Sequence, residues 1–161
     1  MGINIFNKSN KSTLSTIFKK ISYAVSVDEF IDFLPKKDLK IILKIDYKKF
    51  DKNFLTKFFT AYYNYYKNLY SESLINSFSV IEFLIRNEYA KTATNNEELK
   101  NTELLKWARN RDIISVRFFN YLQGIRQARN KITHNMKTCL PEESKLALVI
   151  ATQILSDFSE K

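Results

Sequence analysis

The chain is poor in the residues that make turns, cross-links and metal sites. Its 161 residues hold two glycines, Gly2 and Gly124, and two prolines, Pro35 and Pro141. Sandwiches and barrels turn about every eight to twelve residues and need such punctuation, so an all-β fold is excluded and an all-α fold is expected. The lone cysteine, Cys139, excludes an internal disulfide. With one histidine, His134, it cannot build a zinc site of about four ligands, and no metal or cofactor is expected. A chain without disulfides fits a reducing, cytoplasmic setting. No stretch approaches the roughly 18 uncharged apolar residues of a membrane span. The start, Met1-Gly2-Ile3-Asn4-Ile5-Phe6, lacks the basic region and apolar run of a signal peptide, and Phe6 stands where a myristoylation signal wants Ser or Thr. Glycine-rich phosphate loops, GxSxG elbows and HExxH helices are missing too.

What is present is ordinary globular material with a basic surplus. The chain is 45% hydrophobic and 27% charged, which excludes wholesale disorder, and its length fits one domain. The net charge of +9 is uneven: residues 1–70 carry 13 Lys against 6 acids, and residues 71–161 carry 13 Lys and Arg against 11. All six arginines, Arg86, Arg109, Arg111, Arg117, Arg126 and Arg129, lie in the second part. A basic balance favours polyanionic partners through counterion release, although surplus lysine also serves as solvating decoration.

Helical periodicity runs through most of the chain. From Ser12 it places Leu14, Ile17, Phe18 and Ile21 on one face, after a loose or strand-like start over residues 1–10. A short helix from Asp28 carries Phe30, Ile31, Phe33 and Leu34 and stops at Pro35. Another short amphipathic piece spans Lys36 to Ile45. Residues 1–50 therefore read as an N-terminal helical extension packed on a helical bundle over residues 51–161. Within 51–91 no Gly or Pro occurs, and Phe54, Leu55, Phe58, Phe59, Tyr62, Tyr65, Tyr66 and Leu69 form a broad stripe. One long bent helix and two consecutive helices both fit, with Ser71 or Ser73 available to cap the second. A polar segment from Thr92 to Asn101 leads to a short helix around Leu104 and Trp107. The next helix spans Ile113 to about Thr133, and a last one starts at Pro141, where proline and Glu142–Glu143 suit a first turn. The tyrosines Tyr62, Tyr63, Tyr65, Tyr66 and Tyr70 lie near Lys57 and Lys67 and could stack bases, but they mostly share one helical face, which favours packing.

One constellation carries chemistry: Arg129-Asn130-Lys131-Ile132-Thr133-His134. Imidazole titrates near neutrality and can move a proton to or from a ribose oxygen. Guanidinium stays charged and clamps a phosphate, including the added charge of its transition state. Asn130 supplies donors without negative charge. A helix reaching His134 would favour the imidazolium through its C-terminal dipole. Five helical steps turn about 500°, leaving Arg129 and His134 roughly 140° apart. They converge only if the helix ends or unwinds near Ile132–Asn135, or if a second subunit completes the site. A thiol nucleophile would need His134 as base, with Cys139 five residues further on. The purely structural reading pairs Arg129 with a core acid such as Glu82 and leaves His134 capping a helix end.

This segment resembles the HEPN superfamily, whose marker is an arginine, usually followed by a polar residue, with four to six residues before a histidine. Arg129, Asn130 and His134 match it with four residues between Arg129 and His134. The resemblance covers roughly residues 51–158 and includes Ile81-Glu82-Phe83-Leu84-Ile85-Arg86, similar to the acidic and basic helix that precedes the motif in several HEPN families. It implies an all-α HEPN-like bundle, homodimerisation through the motif-bearing helices, and metal-independent RNA cleavage by 2′-hydroxyl attack. Arg129, His134 and Asn130 would be catalytic, while Arg126, Lys131 and Lys137 would bind RNA. Such domains commonly act as toxins or phage-defence effectors, which implies a cognate antitoxin or defence-system partner. HEPN toxins silenced by a nucleotidyltransferase antitoxin carry a tyrosine two residues after the histidine; Met136 stands there and argues against that control. The alternative is a non-catalytic HEPN-like module that binds RNA or a protein partner.

Overall fold

The computed structural model of the chain describes residues 8–21, 36–94 and 98–161. Among them are seven α-helices, one 3-10 turn and no strand: α1 (Lys8–Ile21), α2 (Lys36–Ile42), the turn Tyr47–Lys49, α3 (Lys52–Tyr66), α4 (Tyr70–Thr92), α5 (Asn101–Asn110), α6 (Val116–Asn135) and α7 (Pro141–Ser159). The fold is all-α. The helix expected from Asp28 to Pro35 lies outside the described residues, as does most of the expected loose start; α1 already begins at Lys8.

Helix α4 is the axis of the bundle and packs against α3, α5, α6 and α7. The reason is in its sequence. Leu74, Phe78, Ile81 and Ile85 bury one side, and Ser73, Ser77 and Val80 bury more of the circumference. A helix apolar over so wide an arc has to be surrounded. Helix α3 brings Leu55, Phe58, Phe59 and Tyr62, and α7 brings Ala147, Ile150, Ala151, Ile154 and Leu155. Leu14, Ile17 and Phe18 of α1 and Ile42 of α2 join the same buried cluster, with α1 against α3 and α2 against α7.

Residues 51–91 form two helices. Helix α3 starts at Asp51, whose carboxylate accepts the Asn53 and Phe54 N–H groups, and stops where Asn68 adopts a left-handed φ of 60°. Neither expected serine caps α4. Ser71 Oγ instead accepts Cys139 N at 3.1 Å, and Ser73 Oγ donates to Ala61 O at 2.7 Å, tying α4 to the α6–α7 connection and to α3. Pro141 opens α7 as expected, and Glu143 accepts the Leu140 N–H at 2.9 Å. Helix α6 begins later than its periodicity implied. Ser115 caps it by accepting Phe118 N at 3.1 Å, leaving Ile113 and Ile114 in the preceding turn. No helix among the described residues is long and apolar enough to cross a membrane.

Candidate active site on helix α6

Helix α6 is twenty residues long yet buries only Leu122 and Ile125, whereas the nineteen residues of α7 bury ten. It lies on the outside of the bundle, anchored from α5 by the Arg109 guanidinium stacked 4.7 Å over the Phe119 ring. Phe118, Phe119, Ala128 and Ile132 pack partly against the core, and much of the rest of its surface stays open. Gly124 shows this directly, because a Cβ there would meet no atom within 4 Å.

The helix stays regular past the motif. It runs through Asn135 and stops only at Met136, which takes a left-handed conformation with φ 50° and ψ 30°. Unwinding near Ile132–Asn135 is therefore not the route by which Arg129 and His134 meet. Within one chain they stand roughly 140° apart around the axis. Arg129 is half-buried, with Nη1 3.5 Å from Asn130 Oδ1 and its carbonyl accepting Thr133 Oγ1 at 2.9 Å. Among the described residues no carboxylate pairs with it. Glu82, the acid expected for that role, binds Arg86 at 2.9 Å instead. His134 is exposed, in the last turn of α6.

A different alignment does occur. Arg126, Asn130 and His134 follow at steps of four, each about 40° on from the last, and so share one long face of α6 over about 12 Å. Arg126 and Asn130 are half-buried on the wall of a cleft of about 550 Å³, opposite Glu82 and Arg86 of α4 and Lys100 and Asn101 at the start of α5. A closed network shapes its floor. Arg86 gives Nε to Glu82, Nη1 to Leu99 O at 2.9 Å and Nη2 to Asn101 Oδ1 at 2.6 Å, while Asn101 Nδ2 returns to Glu82 at 3.3 Å. These bonds occupy each nitrogen of the Arg86 guanidinium. Arg126 is held more loosely, through Nε to Gln123 Oε1 at 3.2 Å.

The structure thus groups Arg126, Asn130 and His134 and separates Arg129, which sits on the core side of the helix. Lys131 and Lys137 are exposed, Lys131 about 100° from Asn130 and Lys137 beyond the helix end. Lys100 and Asn101 are cleft residues that the motif spacing did not point to. Arg126, by contrast, is four and eight residues from Asn130 and His134, a spacing visible in the sequence. Cys139 is buried, and burial pushes its thiol up from the ordinary value against a lowering hydrogen bond from Ser71. A thiol held protonated is a poor nucleophile, so the cysteine reading has no support. The tyrosines pack as their shared face implied: Tyr62 is fully buried and hydrogen-bonded to Thr152, and Tyr65 meets Tyr66 and Tyr70 edge-on at 5.8 and 5.4 Å. Among the described residues no three His, Cys, Asp or Glu side chains gather as metal ligands.

The fold and site define an all-α domain with a polar cleft of mixed charge, lined by Glu82 and Glu98 as well as Arg86, Lys100 and Arg126, and an exposed imidazole further along the same outer helix. Comparison with protein-family profiles, with curated proteins and with solved structures finds no match for the chain.

Proposed function

We propose that the chain is a metal-independent endoribonuclease of the HEPN type, a toxin or phage-defence effector that works as a homodimer. The observation that carries this reading is the position of the Arg129-Asn130-x3-His134 segment at the C-terminal end of an outer helix with so little of its surface buried. His134 lies exposed in the last turn of that helix, where an imidazole can reach a ribose or leaving oxygen. A half-buried arginine that no carboxylate pairs with among the described residues is suited to phosphate.

The chemistry needs only these side chains and solvent water. The ribose 2′-hydroxyl gives its proton to water as its oxygen attacks the adjacent phosphorus, the bond to the 5′-oxygen breaks, and a 2′,3′-cyclic phosphate forms. His134 delivers the proton that the departing 5′-oxygen takes up. Arg129 neutralises the charge gathering on the phosphoryl oxygens, and Asn130 orients the group through its amide. Because Arg129 and His134 diverge within one chain, a site that uses both draws one from each of two twofold-related copies. The same divergence favours the second reading, a non-catalytic module that binds RNA or a protein partner.

Incubation of the purified chain with mixed RNA in the presence of EDTA separates the two. Cleavage leaving cyclic phosphate ends, lowered at least about 100-fold by His134→Ala, is expected of the nuclease. Intact RNA with wild type and variant alike sinks it.

A further inference from the structure

A stack of three phenylalanines on another side of the bundle ends in solvent. The Phe50 and Phe54 rings lie 5.7 Å apart at 34°, and the Phe54 and Phe83 rings 4.9 Å apart at 27°. Phe54 is 6% exposed and Phe83 42%. The outermost ring of a stack is thus left open to water. Phe83 sits in a row of α4, Ser79–Phe83–Asn87–Lys91, at steps of four residues. This row joins two clefts. One, of about 260 Å³, is walled by Phe83, Phe54, Ser79, Asn53 and Lys57. The other, of about 600 Å³, lies beyond Phe50 and is walled by Lys49, Asn87, Lys91 and Phe158.

We propose that this groove binds single-stranded RNA, with a base stacked on Phe83 and the backbone phosphates on Lys49 and Lys57. Naming RNA as the polyanion rests on the ribonuclease reading; the groove itself does not. Charge favours an anion. Lys49, Lys57, Lys91 and Lys161 line the two clefts against Asp51 and Glu88. Asp51 is engaged as a helix cap, Glu88 and Lys91 are paired at 2.6 Å and offset each other, and Lys49 keeps two ammonium donors beside the one it gives to Ser159 O at 2.5 Å. The shape favours a nucleobase over a protein surface. Of the exposed large hydrophobic residues among those described, only Phe83 lies here, too little apolar area to seat an amphipathic helix, which needs anchors at several turns. One open ring flanked by amides, a hydroxyl and lysines is what sequence-tolerant single-strand binding uses.

The test measures binding of a labelled oligouridylate of about 12 nucleotides to the full chain in a His134→Ala background, where the strand stays whole. Phe83→Ala is expected to weaken binding about 5- to 150-fold. Phe83→Trp, which keeps a ring on the stack, is expected to preserve it, and Lys57→Glu to flatten the salt dependence. Thermal melts check folding; should Phe83→Ala melt early, Phe83→Trp and Lys57→Glu carry the test. Binding indifferent to Phe83 overturns the proposal, even if RNA is cleaved. Phe83-dependent binding without any cleavage by the wild-type chain leaves the groove standing and removes the nuclease.

Discussion

At the scale of single residues, two buried phenols govern how the chain meets alkali. Tyr47 donates to Ile42 O at 2.5 Å, and Tyr62 is bonded to Thr152. Thr152 Oγ1 itself donates to Leu148 O at 2.8 Å, so its lone pair is what receives the Tyr62 proton. Burial, first, and then neighbouring acidic groups hold both tyrosines well above their ordinary value of 10.0. The folded chain therefore keeps two protons that the unfolded chain gives up. Their contribution to stability is whole below about pH 10 and is lost as pH rises beyond it. Thermal unfolding followed by circular dichroism is expected to show a midpoint that these groups leave level up to about pH 9 and pull down above about pH 10. Tyr62→Phe is expected to make that decline shallower; an unchanged slope would mean that Tyr62 does not titrate on unfolding. The burial of Tyr62 was readable from its place in the Phe54–Leu69 stripe. Its partner, 90 residues away, was not, because nothing local pairs a tyrosine with a particular threonine.

The elements tell a similar story with a different failure. The apolar stripes covered all seven described helices, leaving open only whether α3 and α4 were one, since a period of 3.6 residues is written directly in the positions of Leu14, Ile42, Phe58, Ile81, Leu104, Leu122 and Ile150. Their ends were harder to read. Among the described residues three left-handed turns, at Asn68, Asp112 and Met136, fall on residues other than glycine. The break between α3 and α4 therefore carried no glycine or proline signal, and Leu69, counted into the apolar stripe, is 45% exposed beside that turn. Met136 shows the cost. Its side chain is 94% exposed and its backbone φ of 50° is unfavourable for a residue with a Cβ. Met136→Gly is expected to stabilise the fold by up to about 1 kcal/mol, the relief of strain exceeding the added freedom of the unfolded chain. Urea unfolding reads this, and a loss of stability would show that the methionine side chain has a packing role.

For the molecule as a whole, the question is how many chains make one site. The four-residue gap between Arg129 and His134 was legible, and so was their roughly 140° divergence on a regular helix. What required coordinates was the course of α6 through Asn135 and the half-burial of Arg129, because a helix end depends on the turn that follows it. If each site takes its arginine from one copy and its histidine from the other, two dead variants can rescue each other. Arg129→Ala and His134→Ala, unfolded together and refolded as a mixture, are expected to recover about a quarter of wild-type cleavage. Half of the dimers are then mixed, and each holds one intact site. No recovery would refute the shared site. The unbroken course of α6 has one more consequence. A rod that ends only after the imidazole leaves no hinge beside it. If the chain is the ribonuclease we propose, the bending that aligns a ribose oxygen with its neighbouring phosphorus falls to the nucleic acid. Such an enzyme would spare stiff duplex and cut where the strand is slack, at loops, bulges and frayed ends.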